Sequence, residues 1–457
     1  MFFEQISTPG LGCFSYAIGC PLVGFMAVID PRRDVGVYMS IAEENEMRIT
    51  HIFETHVHAD HVSGAQELRA LTGAGIFIHE SAPVDYEAQK LKDGDEFTLG
   101  KTVIRVLHTP GHTPNSVSFL ITDLTRSPEP EMILTGDLLF VGDIGRPDLP
   151  GEEIMDEQIE NLYNSLYRTL EPLPGYLEVY PAHGQGSLCG QGMSAKPMST
   201  LGYERLANSK LRFSDFEGFK REILGNLPVR PQSFSSIISA NLSSARFFDN
   251  TDRAEYALSA EKTEGFLGNG AMLLDMRDPI SFGKAHIPGS INIDFSEEPM
   301  LNWVGTVVTP GIPLVLVLPP GRSFEDIYTG LRRIGYDDIK GWLEGGLDAW
   351  VGSGRVTQDL PHLSAYALRE SLAGVSRPVL IDVRSREEFA YKNIDGSINL
   401  PIDSLPEYSS CPVDPDTDIV VICLSGFRAG IAASLLQARG CRKVSLLSGG
   451  LGEWSFA

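Results

Sequence analysis

At 457 residues the chain is too long for one hydrophobic core, and about two to four domains are expected. Its 42% hydrophobic and 21% charged residues are the proportions of an ordinary globular protein. A net charge of −23 with no Lys/Arg cluster argues against nucleic acid and anionic membrane as partners, because both require a basic surface.

The chain begins Met1-Phe2-Phe3-Glu4-Gln5, without the basic segment of a signal peptide. Residues 11–29 are apolar but interrupted by Gly12, Gly19, Pro21 and Gly24, so they read as two short strands around a turn. The six cysteines, at 13, 20, 189, 411, 423 and 441, show no CxxC spacing. No disulfide framework is expected, and a reducing, cytoplasmic compartment is.

Eight of the ten histidines precede residue 184. The strand-like Ile52-Phe53-Glu54 leads into Thr55-His56-Val57-His58-Ala59-Asp60-His61. Alternation on an extended segment puts 56 and 58 on one side, with 60 and 61 on the turn into the next helix. His112 follows a strand-like run at 103–107, Asp137 one at 132–134 and His183 one at 177–180. Tight glycine turns at strand ends allow loops to aim such side chains into one cavity. Imidazole and carboxylate together suit Zn, Fe or Mn. His51, His79 and His108 lack this context and read as structural.

The second half contains an internal repeat. Leu274-Asp275-Met276-Arg277 answers to Ile381-Asp382-Val383-Arg384 at an offset of 107, as does the segment 286–292 to 393–399. Gly345-Gly346-Leu347-Asp348-Ala349-Trp350 answers to Gly449-Gly450-Leu451-Gly452-Glu453-Trp454 at an offset of 104. Strands at 272–275, 313–318, 379–382 and 418–423 alternate with helices such as 324–334 and 429–439, a pattern that predicts parallel sheets with helices on both faces. Polar sequence over 235–253 and the stretch 351–361 read as connectors.

In the second copy Cys423 stands between a strand and a helix, in Cys423-Leu424-Ser425-Gly426-Phe427-Arg428. Backbone N–H groups and a helix N-terminus there favour a thiolate, which can attack sulfane sulfur and carry it. At an offset of 105 the first copy has Leu318 in this place and Ser323 where Arg428 stands, so it has no nucleophile and reads as a scaffold.

The histidine set resembles the metallo-β-lactamase superfamily over residues 1–245, and Gly136-Asp137-Leu138-Leu139-Phe140 with Gly145-Arg146-Pro147-Asp148 resembles its persulfide dioxygenase branch. The repeats resemble rhodanese domains. The resemblance implies a multi-domain α/β chain: an αββα domain at 1–245, an inactive rhodanese-like domain at 246–355 and a catalytic one at 360–457, the latter two with parallel sheets. It implies one Fe(II) held by His56, His112 and Asp137, with His58, Asp60, His61 and His183 around it. A glyoxalase II-like thioester hydrolase would use the same side chains for two Zn: His56, His58 and His112 at one, Asp60, His61 and His183 at the other, Asp137 bridging. Residue types alone do not choose between them; the Gly145–Asp148 signature and the partner domains favour iron.

The implied reaction is oxidation of a low-molecular-weight thiol persulfide by O₂ to sulfite and thiol. Transfer of sulfane sulfur through Cys423, with Arg428, then gives thiosulfate, as in sulfide detoxification. Arg146 is read either as a group that holds the anionic part of the thiol carrier or as half of a structural ion pair. Cys189 is read as bordering the metal cavity, there to relay sulfur or merely to pack. Leu424 sits where thiosulfate-using rhodaneses often carry a basic residue, and Asn393 replaces a more usual histidine. The expected partners are small molecules, and homo-oligomerisation stays open.

Overall fold

The computed structural model describes every residue except 191, 226, 228–229, 245–246, 248–252, 296–299 and 456–457, with the backbone alone at 253–254. The expected boundary at 245/246 therefore lies outside the described residues. Contacts group the chain into two units, Met1–Asn250 with Gly330–Gly335, and Thr251–Thr329 with Tyr336–Ala457.

The first unit holds two six-stranded sheets. One joins Phe2–Thr8, Cys13–Cys20, Phe25–Ile29, Arg48–Phe53, Gly75–His79 and Gln89–Leu91 in chain order. The other joins Glu96–Leu99, Thr102–His108, Val117–Asp123, Met132–Gly136, Glu178–Pro181 and Ser199–Thr200, also in chain order. Period-two alternation sorts each strand between two cores. Ala27 and Ile29 face the layer between the sheets, where they meet Ile104, Val106 and Phe119. Met26 and Val28 face outward, onto Tyr38 and Ile41 of the helix Gly36–Glu44 and Leu68 of Ala65–Thr72. The helices Met155–Asn164 and Phe216–Gly225 cover the second sheet through Ile159, Leu162 and Phe219. The result is the expected αββα sandwich, and 11–29 is indeed two strands around a turn.

One expectation is corrected over 235–242. These residues belong to a helix, Ser233–Leu242, and not to a connector. Phe234 and Ile238 pack with Ala59 and Leu149, and Ile238 and Leu242 pack with Val57. Phe234, Ile237, Ile238 and Asn241 follow the helical spacing that buries one stripe.

The second unit holds two five-stranded parallel sheets of identical order. In the first copy it runs Ala257–Leu258, Ile339–Leu343, Leu314–Val317, Met272–Asp275 and Ile291–Asn292. In the second it runs His362–Leu363, Lys443–Leu447, Asp418–Ile422, Val379–Asp382 and Ile398–Asn399. The duplication extends to single hydrogen bonds. Asp275 pairs with Arg277 as Asp382 pairs with Arg384. Asn292 Nδ2 donates to the carbonyls of Asp275 and Arg277 as Asn399 Nδ2 does to those of Asp382 and Arg384. His286 Nδ1 donates to Phe282 O, and Asn393 Nδ2 makes the equivalent bond to Phe389 O, so that replacement is local. Strand register sets Asp275 opposite Val317 and Asp382 opposite Ile422, so the next residues, Leu318 and Cys423, are structural equivalents.

The first copy also covers the helix Phe427–Ala438 that follows Cys423. Residues 429–436 of that helix are buried all round, the mark of a helix with neighbours on every side. Ser434 Oγ accepts from Asn292 N at 3.0 Å, and Trp303 meets Phe427 edge-on. Cys411 and Cys441 form a disulfide across 30 residues. That cross-link corrects the expectation drawn from cysteine spacing: its partners flank a strand and a helix and share no local motif.

Candidate metal centre and sulfur-transfer site

His56, His58, Asp60, His61, His112, Asp137 and His183 all lie just past strand ends of the two sheets, and all are buried. Four of them leave one atom each without a hydrogen-bond partner: His56 Nε2, His112 Nε2 and Asp137 Oδ2, which converge, and His58 Nδ1. The carboxylate oxygen is 3.9 Å from the first and 3.3 Å from the second. A buried acceptor left unpaired costs about 1–3 kcal/mol, so three converging on one point fit a cation. The other ring nitrogens fix the tautomers. His112 Nδ1 donates to Arg146 O at 2.8 Å, which leaves its Nε2 with a lone pair. His56 Nδ1 lies 2.9 Å from Thr55 Oγ1, whose proton goes to Asp30 Oδ2 at 2.8 Å, so His56 must donate to Thr55 and expose its own Nε2.

Electrostatics agree with neutral, metal-ready imidazoles. Burial holds His56 well below the usual histidine range, helped by His58, and lowers His112 as well. Burial alone would raise Asp137, but His183 and His112 outweigh it and keep the carboxyl far below its ordinary value. Gly145 accounts for part of the signature segment. A Cβ there would overlap Asp137 O and crowd His112 Nδ1, so only glycine lets this turn lie against both residues.

The remaining four expected residues form a surrounding network. His183 is held between carboxylates, Nδ1 2.6 Å from Asp137 Oδ1 and Nε2 2.8 Å from Asp60 Oδ2. Burial would lower His183, yet Asp137 above all, with Asp60, holds it well above the usual range, so it is an imidazolium. His61 Nδ1 lies 3.3 Å from Asp60 Oδ1. His58 Nε2 sits 3.1 Å from both Asp30 Oδ1 and Glu54 Oε2, and its Nδ1 has no partner. The alternation argument for 56 and 58 does not hold, because 54–61 is a loop with no strand geometry, although the two rings are neighbours at 4.2 Å.

Sequence reasoning missed several members of this centre. Asp30 and Glu54 anchor His58, and Asp30 also fixes Thr55. Asn241 donates to His58 O at 2.9 Å and His61 O at 2.8 Å, and accepts from Ser63 N at 2.9 Å, clamping the loop. Cys13 places Sγ 2.9 Å from Asp60 Oδ2 and its backbone is bridged to that of His183. A thiol in an apolar strand carries no sequence signal of this.

Of the two readings of Arg146, the ion pair is the one found. Nε and Nη2 each donate to Asp148 at 2.7 Å, Nη1 donates to Leu188 O at 3.2 Å, and the guanidinium is buried over the Phe234 ring. Cys189 borders the centre as expected, grouped with Asp137 and His183. Burial pushes its thiol up to about 12 despite His183, so it is protonated near neutrality.

At the second site, Cys423 is buried and its Sγ accepts from Gly426 N at 3.0 Å. The Gly449-Gly450 segment holds this loop: Leu451 N donates to Cys423 O at 2.9 Å and Gly452 N to Leu424 O at 3.0 Å. Gly450 has φ +60°, and a Cβ on it would overlap Cys423 O and Leu424. The Gly-Gly-x-x-x-Trp pattern thus accompanies the cysteine loop because the two are in backbone contact. Arg428, expected to act with Cys423, is held by a carboxylate. It makes a bidentate pair with Glu388, 2.7 Å at each oxygen, and so ties the helix after the loop to the helix Arg386–Tyr391. Leu424 is exposed at the loop tip.

Comparison with known proteins divides the chain the same way. The Metallo-beta-lactamase superfamily matches residues 25–183, and the Rhodanese-like domain matches 259–353 and 364–457. The mitochondrial persulfide dioxygenase ETHE1 of Bos taurus is 29% identical over 250 residues, covering 53% of this chain and 88% of that protein. A hydroxyacylglutathione hydrolase of Methylococcus capsulatus is 32% identical over 175 residues, covering 37% of this chain and 61% of that protein. A crystal structure of a metallo-beta-lactamase from Staphylococcus aureus is 30% identical with a TM-score of 0.68, covering 75% of this chain and 98% of that one. Among the described residues, no helix is long and apolar enough to cross a membrane.

Proposed function

We propose that this chain, which belongs to the metallo-beta-lactamase superfamily and carries two rhodanese-like domains behind that fold, oxidises a thiol persulfide and then transfers sulfane sulfur. In the first reaction R–S–SH, O₂ and water give R–SH, sulfite and two protons. In the second, the Cys423 thiolate attacks the terminal sulfur of another persulfide and R–S⁻ leaves; sulfite then takes that sulfur as thiosulfate and frees the thiolate. The domain limits proposed for this division are 1–245, 246–355 and 360–457.

The observation that carries the reading is the converging set of unpartnered atoms on His56, His112 and Asp137, in a chain that also holds a rhodanese-type cysteine loop. Two imidazoles and one carboxylate are the donor set of mononuclear non-haem iron. One Fe(II) held there would supply electrons and open positions for O₂ and a persulfide sulfur. The chain's own part is orientation and proton placement. Thr55 and Arg146 O fix the two tautomers, and His183 keeps its Nδ1 proton on Asp137 Oδ1, so Oδ2 remains the donor. At Cys423 the Gly426 N–H donates to the sulfur, which lies just before the N-terminus of the helix Phe427–Ala438.

A second reading, a dinuclear-zinc thioester hydrolase, rests on the unpartnered His58 Nδ1 and on the similarity to a hydroxyacylglutathione hydrolase. Metal content of anaerobically purified protein, with O₂ uptake on adding persulfide, separates the two. One iron per chain and sulfite formation are expected; two zinc ions and no O₂ uptake would overturn the proposal.

A further inference from the structure

A cavity of about 410 Å³ lies against the metal loop. Val57, which stands between His56 and His58, lines it, as do Thr113 and Pro114, which follow His112. Leu149, just past the Gly145–Asp148 segment, and Ile238 and Leu242 of the helix Ser233–Leu242 complete its apolar wall. Asn241 fastens that helix to the loop that carries His58 and His61, so wall and metal centre are one construction.

The charged residue of this lining is Arg230. It is exposed, it hydrogen-bonds the Ser235 hydroxyl at 3.3 Å, and among the described residues no carboxylate pairs with it. The cavity of about 260 Å³ beside Cys189 differs: its Arg146 is paired with Asp148 and its Lys210 with Glu222. An apolar slot with one guanidinium at its edge fits a ligand with an apolar body and a carboxylate end. A phosphate, with its greater charge, is usually met by several N–H donors or cations.

We propose that this cavity receives the carrier portion of the persulfide, and that Arg230 selects carriers ending in a carboxylate. The apolar body lies along Leu149, Ile238 and Leu242, which directs the S–SH end toward the loop of His56 and His112. The proposal rests on the persulfide reading for what enters, but the pocket is testable without turnover.

Binding of methylthio-hexanoate and of its primary amide, neither of which can react, is measured by calorimetry on the full-length metal-loaded chain, on Arg230→Gln and on Leu242→Trp. The carboxylate is expected to bind the unaltered chain about tenfold more tightly than the amide. Arg230→Gln erases that preference and leaves amide binding within about twofold, whereas Leu242→Trp weakens both. Equal affinity for the two ligands, absence of binding, or a preference that survives Arg230→Gln overturns the proposal. O₂ uptake with the matching carboxylate and amide persulfides should repeat the order in KM with kcat unchanged. Arg230-dependent binding without O₂ uptake from any persulfide leaves the pocket standing and overturns the oxidation reading instead.

Discussion

His183 reaches Asp137 through Nδ1, 2.6 Å from Oδ1, and thereby leaves Oδ2 of the same carboxylate facing His56 and His112. One oxygen is committed to an imidazolium and the other to the centre, so the carboxylate cannot rotate without breaking a charge-assisted bond. The three unpartnered atoms are a fixed array in consequence, and removing any one of them is expected to cost the metal.

His112→Ala tests this. Iron content should fall, and O₂ uptake should drop by at least about a hundredfold. Cyanide-dependent sulfur transfer should continue, because Cys423 lies in a different domain with its own residues. Thiocyanate formation and O₂ electrode traces on the same preparation provide the comparison. Loss of both activities in a folded variant would contradict the division of labour.

Asn241→Ala removes three hydrogen bonds to the metal loop at once. With two carbonyls and one N–H left buried, the expected loss is about 2–4 kcal/mol in urea unfolding, with iron released at lower chelator concentration. Asn241→Asp should be worse, since a carboxylate would face the carbonyls of His58 and His61. A change below about 0.5 kcal/mol in the alanine variant would show that the loop holds itself.

Asn241 also marks how far the sequence could be read. The histidines and Asp137 were legible because each lies shortly after a strand-like run, a local pattern. The duplication was legible because Asp275 and Asp382, or the two Gly-Gly-x-x-x-Trp segments, repeat at nearly constant spacing. Asn241, Asp30, Glu54 and Cys13 act through contacts made only after folding, and their neighbours in sequence say nothing of them. Arg146 and Arg428 were found as residues but not as partners, because the choice between ligand and ion pair depends on where Asp148 and Glu388 lie. The helix Ser233–Leu242 was legible by its spacing and was masked by its serines.

Glu388 ties pH to the integrity of the sulfur-transfer loop. Hydrogen bonding to Arg428 holds its carboxyl below the ordinary glutamate range. Its contribution to stability is therefore complete above the unfolded-state value of about 4.3 and is lost as pH falls through the lower folded-state value. Glu388→Gln should unfold at lower temperature than the unaltered chain at about pH 6, with the gap closing below about pH 4. Thermal unfolding of both proteins across that range is the measurement, and a gap independent of pH would mean that the pair contributes nothing as an ion pair.

Cys423→Ser should change the product and not the oxidation. Serine is nearly isosteric, and the Gly426 N–H can still meet its oxygen, but a hydroxyl does not carry sulfane sulfur near neutrality. O₂ uptake should persist while sulfite accumulates where the unaltered chain gives thiosulfate. Short time points, read by thiol-derivatised chromatography, limit the spontaneous reaction of sulfite with persulfide. Thiosulfate formed at the original rate and ratio would remove Cys423 from the pathway.

The duplicated sheets supply this molecule with an internal control. Whatever both copies retain must answer to folding, since one of them has Leu318 in place of the nucleophile: the Asp–Arg pairs, the Asn292 and Asn399 clamps, the paired glycines. Whatever departed with the cysteine is a candidate for the chemistry. By the repeat offsets Glu388 corresponds to Ser281 and Arg428 to Ser323, so both halves of that ion pair are absent from the copy that lacks the thiol. A pair that served only the frame would have survived in at least one member, as the Asp275–Arg277 pair has. The Glu388–Arg428 bridge thus keeps company with Cys423, and a single chain carries both the loop with its thiol and the loop without it.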